Sequence, residues 1–210
     1  MSEIKIGRMV LGVCSTNTYF VYREGAPEAV VIDPADQGDK INAALERNGF
    51  QVKAILLTHG HFDHIWGVEG LKGATGVPVY ANEAEAEVLA DARKNVSAQM
   101  HRSYTMEADE YLKDGQEIEL AGITFRMIAT PGHTAGGCCY YVEEAGFLIS
   151  GDTLFQESVG RTDFPTGSMG TLVRSIKDKL FVLPGDTKVY PGHGDSTTIE
   201  YEQKYNPFCG

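Results

Sequence analysis

The chain opens with three short apolar stretches, near residues 4–10, 15–22 and 28–32, rich in Val, Ile, Tyr and Thr, and Asp33-Pro34 closes the last of them. Runs this short and this rich in β-branched and aromatic residues read as strands. Residues 36–48 then place Ile41, Ala44 and Leu45 at helical spacing. The run Val52-Lys53-Ala54-Ile55-Leu56-Leu57 predicts a buried strand that stops abruptly at Thr58-His59-Gly60-His61. Helical patterns follow near 64–73 and 82–92, whereas 93–113 shows neither period. Paired strands are expected over 115–128, with Gly122 at the turn, and again over 138–150. Ser168 is placed to cap a helix carrying Leu172, Ile176 and Leu180. Thr187–Tyr190 reads as the last core strand, and 198–205 as a short closing helix. Strand groups separated by helices, in two similar halves, predict an α/β fold of two packed sheets with helices outside.

No internal repeat, low-complexity tract or linker interrupts the 210 residues, so a single domain over 1–210 is expected. A chain of this length buries about 70% of the surface its unfolded form exposes. The net charge of −11 argues against a nucleic-acid partner, whose phosphates it would repel. No stretch approaches the roughly 20 apolar residues of a membrane span. The polar start, Met1-Ser2-Glu3-Ile4-Lys5, lacks the pattern of a secretion signal. Cys14, Cys138, Cys139 and Cys209 have neither disulfide-framework nor zinc-site spacing and are expected to be free thiols. These features together predict a cytoplasmic protein whose partner is a small molecule rather than a nucleic acid or a membrane.

The candidate chemistry lies in four Gly-flanked settings, each following an apolar strand. They are Thr58-His59-Gly60-His61-Phe62-Asp63-His64, Pro131-Gly132-His133-Thr134, Ser150-Gly151-Asp152-Thr153 and Pro191-Gly192-His193-Gly194. Side chains at the ends of adjacent strands are expected to converge on one edge of a sheet. Neutral imidazoles and carboxylates are donors that zinc and iron(II) accept. His59 and His61, two apart in extended chain, point the same way and can grip one cation, with His133 completing its trio. Asp63 and His64 face a second cation, which His193 completes, and the two oxygens of Asp152 suffice to bridge both. Two such ions would lower the pKa of a bridging water toward neutrality, so that hydroxide attacks a carbonyl without a separate protein base. Asp63 and Asp152 are therefore the carboxylates expected to matter most for catalysis. Zinc is the ion expected first, with iron or manganese as alternatives. His101, the remaining histidine, lies outside the pattern.

The series His59-x-His61-x-Asp63-His64, then His133, Asp152 and His193, resembles the signature of the metallo-β-lactamase superfamily. That resemblance implies a four-layer αββα sandwich. Gly151-Asp152-Thr153-Leu154-Phe155 and the tail residues Tyr201-Glu202 and Asn206-Pro207-Phe208 resemble the small single-domain glyoxalase II-like proteins of bacteria. They imply hydrolysis of a thioester such as S-lactoylglutathione to acid and thiol. The C-terminal helical domain with which full-length glyoxalase II holds glutathione is not expected in a chain of this length. Arg161 and Asp163 stand near the positions of that family's glutathione-contacting Lys and Tyr, and Asp195 replaces a Tyr. Arg161 is a candidate for holding a substrate carboxylate. Gly160-Arg161-Thr162-Asp163-Phe164 is also similar to the persulfide dioxygenases, which would use His59, His133 and Asp152 around one iron. Lactone and phosphodiester hydrolases share the ligand set. True metallo-β-lactamases usually carry Cys at the position of Asp152, so antibiotic hydrolysis is not expected. Residues 155–168 are expected to line the pocket mouth, and Phe62, Phe155 and Phe164 to form an apolar wall or pack in the core.

Overall fold

Residues 2–209 are described by a computed structural model. Three antiparallel strands, β1 (Ile4–Leu11), β2 (Thr16–Arg23) and β3 (Glu28–Ile32), open the first sheet. It continues in parallel through β4 (Gln51–Leu56), β5 (Val79–Asn82) and β6 (Glu110–Leu112). Parallel neighbours need crossovers. These are α1 (Gly38–Arg47), then α2 (Phe62–Ile65) with α3 (Val68–Thr75), then α4 (Ala86–Ala90). The second sheet has the order β14-β13-β10-β9-β8-β7, built from β7 (Glu117–Leu120), β8 (Ile123–Ala129), β9 (Cys138–Val142), β10 (Phe147–Gly151), β13 (Lys188–Pro191) and β14 (Thr197–Thr198). A small hairpin of β11 (Leu154–Phe155) and β12 (Ser158–Val159) follows β10, and α5 (Met169–Ser175) and α6 (Ile199–Tyr205) complete the chain.

Alternation along the strands sorts the side chains into layers. Val30, Ile32, Ala54 and Leu56 of the first sheet meet Phe125, Met127, Tyr140 and Ile149 of the second in a central core. The intervening residues Val31, Ile55 and Leu57 face outward onto Ile41, Leu45, Val68 and Leu71 of α1 and α3. On the far side, Cys139, Tyr141 and Leu148 pack on Leu172 of α5, on Ile176 and Leu180, and on Ile199 of α6. The result is helix, sheet, sheet, helix. Ser168 caps α5 as the sequence predicts, its hydroxyl accepting from the Thr171 N–H. The turns that follow, over Ile176–Leu180, are wound wider than an α-helix.

The structure departs from these expectations in three places. The helix over 64–73 is broken at Gly67, whose N–H donates to the Pro34 carbonyl at 2.8 Å instead of extending one helix. β5 and β6 were not expected, because four and three residues are too few to display a period. The edge strand β14, which pairs antiparallel with β13 beyond the core strand at Thr187–Tyr190, was not expected either. All four cysteines are free thiols, and no helix among the described residues is long and apolar enough to cross a membrane.

Helices α1 and α3 cross with their backbones in contact. A Cβ at Gly38 would fall on the Gly67 carbonyl oxygen and the Leu71 nitrogen, main-chain atoms that cannot rotate away. Gly38→Ala should therefore lower stability by roughly 1–3 kcal/mol through forced separation of the two helices. Thermal unfolding checks this, and an unchanged Tm would show that the crossing adjusts freely.

Candidate metal centre

The ends of four core strands deliver the candidate ligands. His59 and His61 follow β4, and Asp63 and His64 lie in α2. His133 follows β8, Asp152 follows β10 and His193 follows β13. The expectation of one sheet edge is corrected, because β4 belongs to the first sheet and the other three strands to the second. The site therefore forms where the two sheets meet.

All seven predicted residues are brought together there. Ligand atoms of His59, His61 and His133 lie within 4.8 Å of one another, and so do those of Asp63, His64 and His193. Asp152 spans the two groups. Its Oδ1 is 3.3 Å from His64 Nε2, and its Oδ2 is 3.6 Å from His133 Nε2 and 3.5 Å from His193 Nε2. His101 is exposed and apart from the cluster.

Partners behind the rings decide which nitrogen faces the centre. Thr58 Oγ1 donates to Asp33 Oδ2 at 2.6 Å, which leaves it to accept from His59 Nδ1 at 3.1 Å. His133 Nδ1 donates to the Arg161 carbonyl at 2.6 Å, and His64 Nδ1 to Asp33 Oδ2 at 2.8 Å. Each of these rings thus turns its Nε2 inward, as a bare lone pair in the neutral rings of His59 and His133. His59 Nε2 and His133 Nε2 face each other at 3.3 Å, and His61 Nδ1 lies 2.9 Å from His133 Nε2. The His59 and His133 lone pairs repel at that distance unless a cation lies between them, while His61 Nδ1 is within hydrogen-bond distance of His133 Nε2. His64 Nε2 and Asp152 Oδ1 are also buried without a hydrogen-bond partner among the described residues. A Cβ at Gly192 would collide with the Asp152 carboxylate and come within 2.7 Å of the His64 ring, so only glycine leaves the ligands room. The residues fit a dinuclear metal site. A third grouping, Asp33 with His59 and His64, is equally close, but both Asp33 oxygens are engaged by Thr58 and His64.

The two trios differ electrically. Burial, reinforced by neighbouring imidazoles, holds His59 well below its ordinary pKa and His61 at about 3, and burial also lowers His133. Neutral rings are the ligating form. Burial would also lower His64 and His193, but Asp152 and Asp63 outweigh it, raising His64 well above its usual value and His193 to about 9. Asp63 is held at about 2: burial opposes this, but His64 and His193 prevail.

Sequence reasoning missed the residues that brace the site. Asp33 takes a left-handed backbone (φ 49) at the end of β3, and its carboxylate reaches the neighbouring strand end. The one available signal was a carboxylate closing a strand beside the one that delivers His59. Glu85 is 1% exposed and accepts from the Gly60 N–H at 2.7 Å, the Gly136 N–H at 2.8 Å and the Thr134 hydroxyl at 3.0 Å. It joins the loop of His59 and His61 to that of His133. Its burial raises its pKa to about 7 against those three donors. Thr16 donates to Asp63 Oδ2 at 3.0 Å, and the Asn17 carboxamide donates to the carbonyls of Pro191 and Gly194, which flank His193.

Beside the ligands opens a cavity of about 550 Å³, lined in part by Phe62, Phe155 and Phe164. Arg161 is on its rim. Its Nε and Nη2 each donate to Asp163 at 2.7 Å, and its guanidinium lies 3.9 Å from the Phe164 ring centroid.

Asp33→Asn keeps the size but removes the carboxylate that orients His64, and cation affinity should fall about 10–100-fold, measured by competition with a chromogenic chelator. Unchanged affinity would make Asp33 a purely structural residue. Loading the Asp63–His64–His193 group at pH 7 should release protons, because His64 and His193 are protonated below their raised pKa values. Loading the His59–His61–His133 group should release none. Calorimetry in buffers of different ionisation enthalpy reads both, and affinity at the second group should climb with pH toward about 9. No proton release from either group would contradict this asymmetry.

Comparisons with known proteins agree with this geometry. Residues 11–193 match the family model described as the metallo-beta-lactamase superfamily. The chain is 38% identical to the probable metallo-hydrolase YqgX of Bacillus subtilis, over 98% of this chain and 97% of that protein. It is 34% identical to the hydroxyacylglutathione hydrolase GloC of Haemophilus influenzae, over 86% of each. Among solved structures it is similar to the BLEG-1 B3 metallo-beta-lactamase, with a TM-score of 0.92 at 38% identity, over 98% of this chain and 99% of that one. It is also similar to TTHA1623 in a di-iron-bound form, with a TM-score of 0.84 at 36% identity, over 96% of this chain and 99% of that one. The protein belongs to the metallo-β-lactamase superfamily and is a metallo-hydrolase with a His/Asp metal-binding cluster.

Proposed function

We propose that the protein hydrolyses a thioester, of the S-lactoylglutathione type, to an acid and a thiol. The observation that carries this reading is the placement of Asp152, whose two oxygens reach both ligand groups. His59, His61 and His133 would hold one divalent cation, Asp63, His64 and His193 a second, and Asp152 both. When bound, such a pair supplies Lewis-acid activation of water and of the scissile carbonyl. Zinc suits this donor set, as do iron and manganese, and TTHA1623 is described with two irons.

The protein's own groups do the rest. Thr58, Asp33 and the Arg161 carbonyl fix the tautomers of His59, His64 and His133. Glu85 and Asn17 hold the ligand loops in register. His193, 29% exposed, stands nearest to solvent among the ligands and faces the substrate cavity with Phe155. In this reading the protein acts as one domain over 1–210, in the cytoplasm, on a small molecule rather than on nucleic acid or a membrane. The name of GloC supports the thioester. The single-iron persulfide reading uses His59, His133 and Asp152 and leaves the Asp63–His64–His193 group without a role. The likeness to BLEG-1 favours a second reading, hydrolysis of a β-lactam amide by the same centre.

Metal analysis joined to thiol release from S-lactoylglutathione, with a chromogenic cephalosporin in parallel, tests the assignment. Two ions per chain with thiol release is the expected result. Cephalosporin opening without thiol release would replace the thioester with the lactam. One iron with oxygen uptake on a persulfide would overturn both. Asp63→Ala should lower kcat/KM about 100-fold or more. Full activity in that variant would refute a two-ion mechanism.

A further inference from the structure

Val96 has φ 69. A β-branched residue almost never enters this left-handed region. Such strain persists only where the surroundings over-determine it, and it concentrates at ligand sites. Here the clamp is explicit. The Asn95 N–H donates to the Asp91 carbonyl at 2.9 Å, and the Asn95 carbonyl accepts from the Phe62 N–H at 3.0 Å. The Asn95 side chain donates to the Tyr104 carbonyl at 2.8 Å and accepts from the Ser97 N–H at 2.9 Å. Ser97 Oγ both donates to the Tyr104 carbonyl and accepts from its N–H, at 2.9 Å each. Asn95 and Ser97 are fully buried, so the residue between them has no freedom to relax.

What the clamp achieves is an apolar wall. Val96 is 3% exposed and packs with Phe62 and Trp66, and Met100 and Phe164 close around them. Val96, Phe62, Met100 and Phe164 all line the cavity beside the ligand cluster. Among the described residues that line the cavity, Arg161 is the only lysine or arginine, and Asp163 holds it in a two-point ion pair. A carboxylate moving along this wall would shed water and meet a guanidinium already paired.

We propose that the wall centred on Val96 receives an uncharged aliphatic group beside the scissile bond, and that Val96 sets the length of that group. This rests on the hydrolase reading of the metal centre and narrows it. The substrates are thioesters with a neutral alkyl group on the acyl or the thiol side, and the carboxylates of a glutathione-like thiol lie away from the wall.

The test uses the metal-loaded protein and its Val96→Gly variant. Glycine adopts φ 69 without strain, so the variant keeps the clamp while opening the wall. Binding of unhydrolysable S-alkyl N-acetylcysteamine thioethers of increasing chain length is measured by calorimetry, beside equal-length thioethers ending in a carboxylate. Neutral thioethers should bind about tenfold or more tightly than the carboxylates. The preferred chain should lengthen by about one or two methylenes in Val96→Gly. Equal binding of the charged series, no binding of either, or the same ranking in both proteins would overturn the proposal. Turnover of matching thioesters, with the acyl or the thiol group varied in turn, shows which side occupies the wall. Thioether ranking without any thioester turnover would retain the wall and remove the hydrolysis assigned above. Turnover with flat ranking would do the reverse.

Discussion

The Asp33 carboxylate accepts three hydrogen bonds at 2.6–2.8 Å, from the Thr58 N–H, the Thr58 hydroxyl and His64 Nδ1. Through them the end of β3, the end of β4 and the turn into α2 become one rigid unit. Charge-assisted bonds of this kind are shorter and stronger than neutral ones, more so away from water. The geometry of the cluster follows from this unit. Thr58, held by Asp33, is left to accept from His59, and His64 is left with its Nε2 directed at Asp63 and Asp152. The strained backbone of Asp33 is what lets one residue reach both.

The second half of the centre is braced differently. His133, Asp152 and His193 follow strands of the other sheet, and three polar struts tie them across. Glu85 links Gly60 to Thr134 and Gly136, the Asn17 side chain grips the carbonyls of Pro191 and Gly194, and the Tyr19 hydroxyl donates to the Pro191 carbonyl at 2.8 Å. These groups are buried where an unsatisfied donor or acceptor would be costly, and each is satisfied. The apolar core between the sheets brings the halves together, and the struts set how far apart their ligands lie.

The sequence made the seven candidate ligands legible because imidazoles and carboxylates beside glycines, each after an apolar run, are a rare combination. The layers were legible too, since the unbroken apolar runs of β9 and β10 and the apolar end of β4 report strands buried on both faces. Asp33 and Glu85 were not. A carboxylate before proline reads as a strand end, and Glu85 sits in Asn82-Glu83-Ala84-Glu85-Ala86-Glu87, which looks like a solvated helical face. Only tertiary contact shows that one of these glutamates is buried and its neighbours are not. Val96 was hidden for the same reason. Its backbone angle is imposed by Asn95, Ser97 and Tyr104, so residues 93–113 carry no period of their own. The pairing of Arg161 with Asp163, two residues on, depends on a local turn that spacing does not reveal.

The division of the cluster between two sheets has a consequence for how the protein is made. His59, His61, Asp63 and His64 leave the ribosome long before His133, Asp152 and His193, and none of the cation positions is complete without residues from the later half. Each of the two sites that Asp152 spans would therefore become complete only when the halves dock. Cations held there would act as a clasp across the seam, joining His59 and His61 to His133, more than seventy residues on, and Asp63 and His64 to His193, more than a hundred on, much as a covalent cross-link would, but one that a chelator can open.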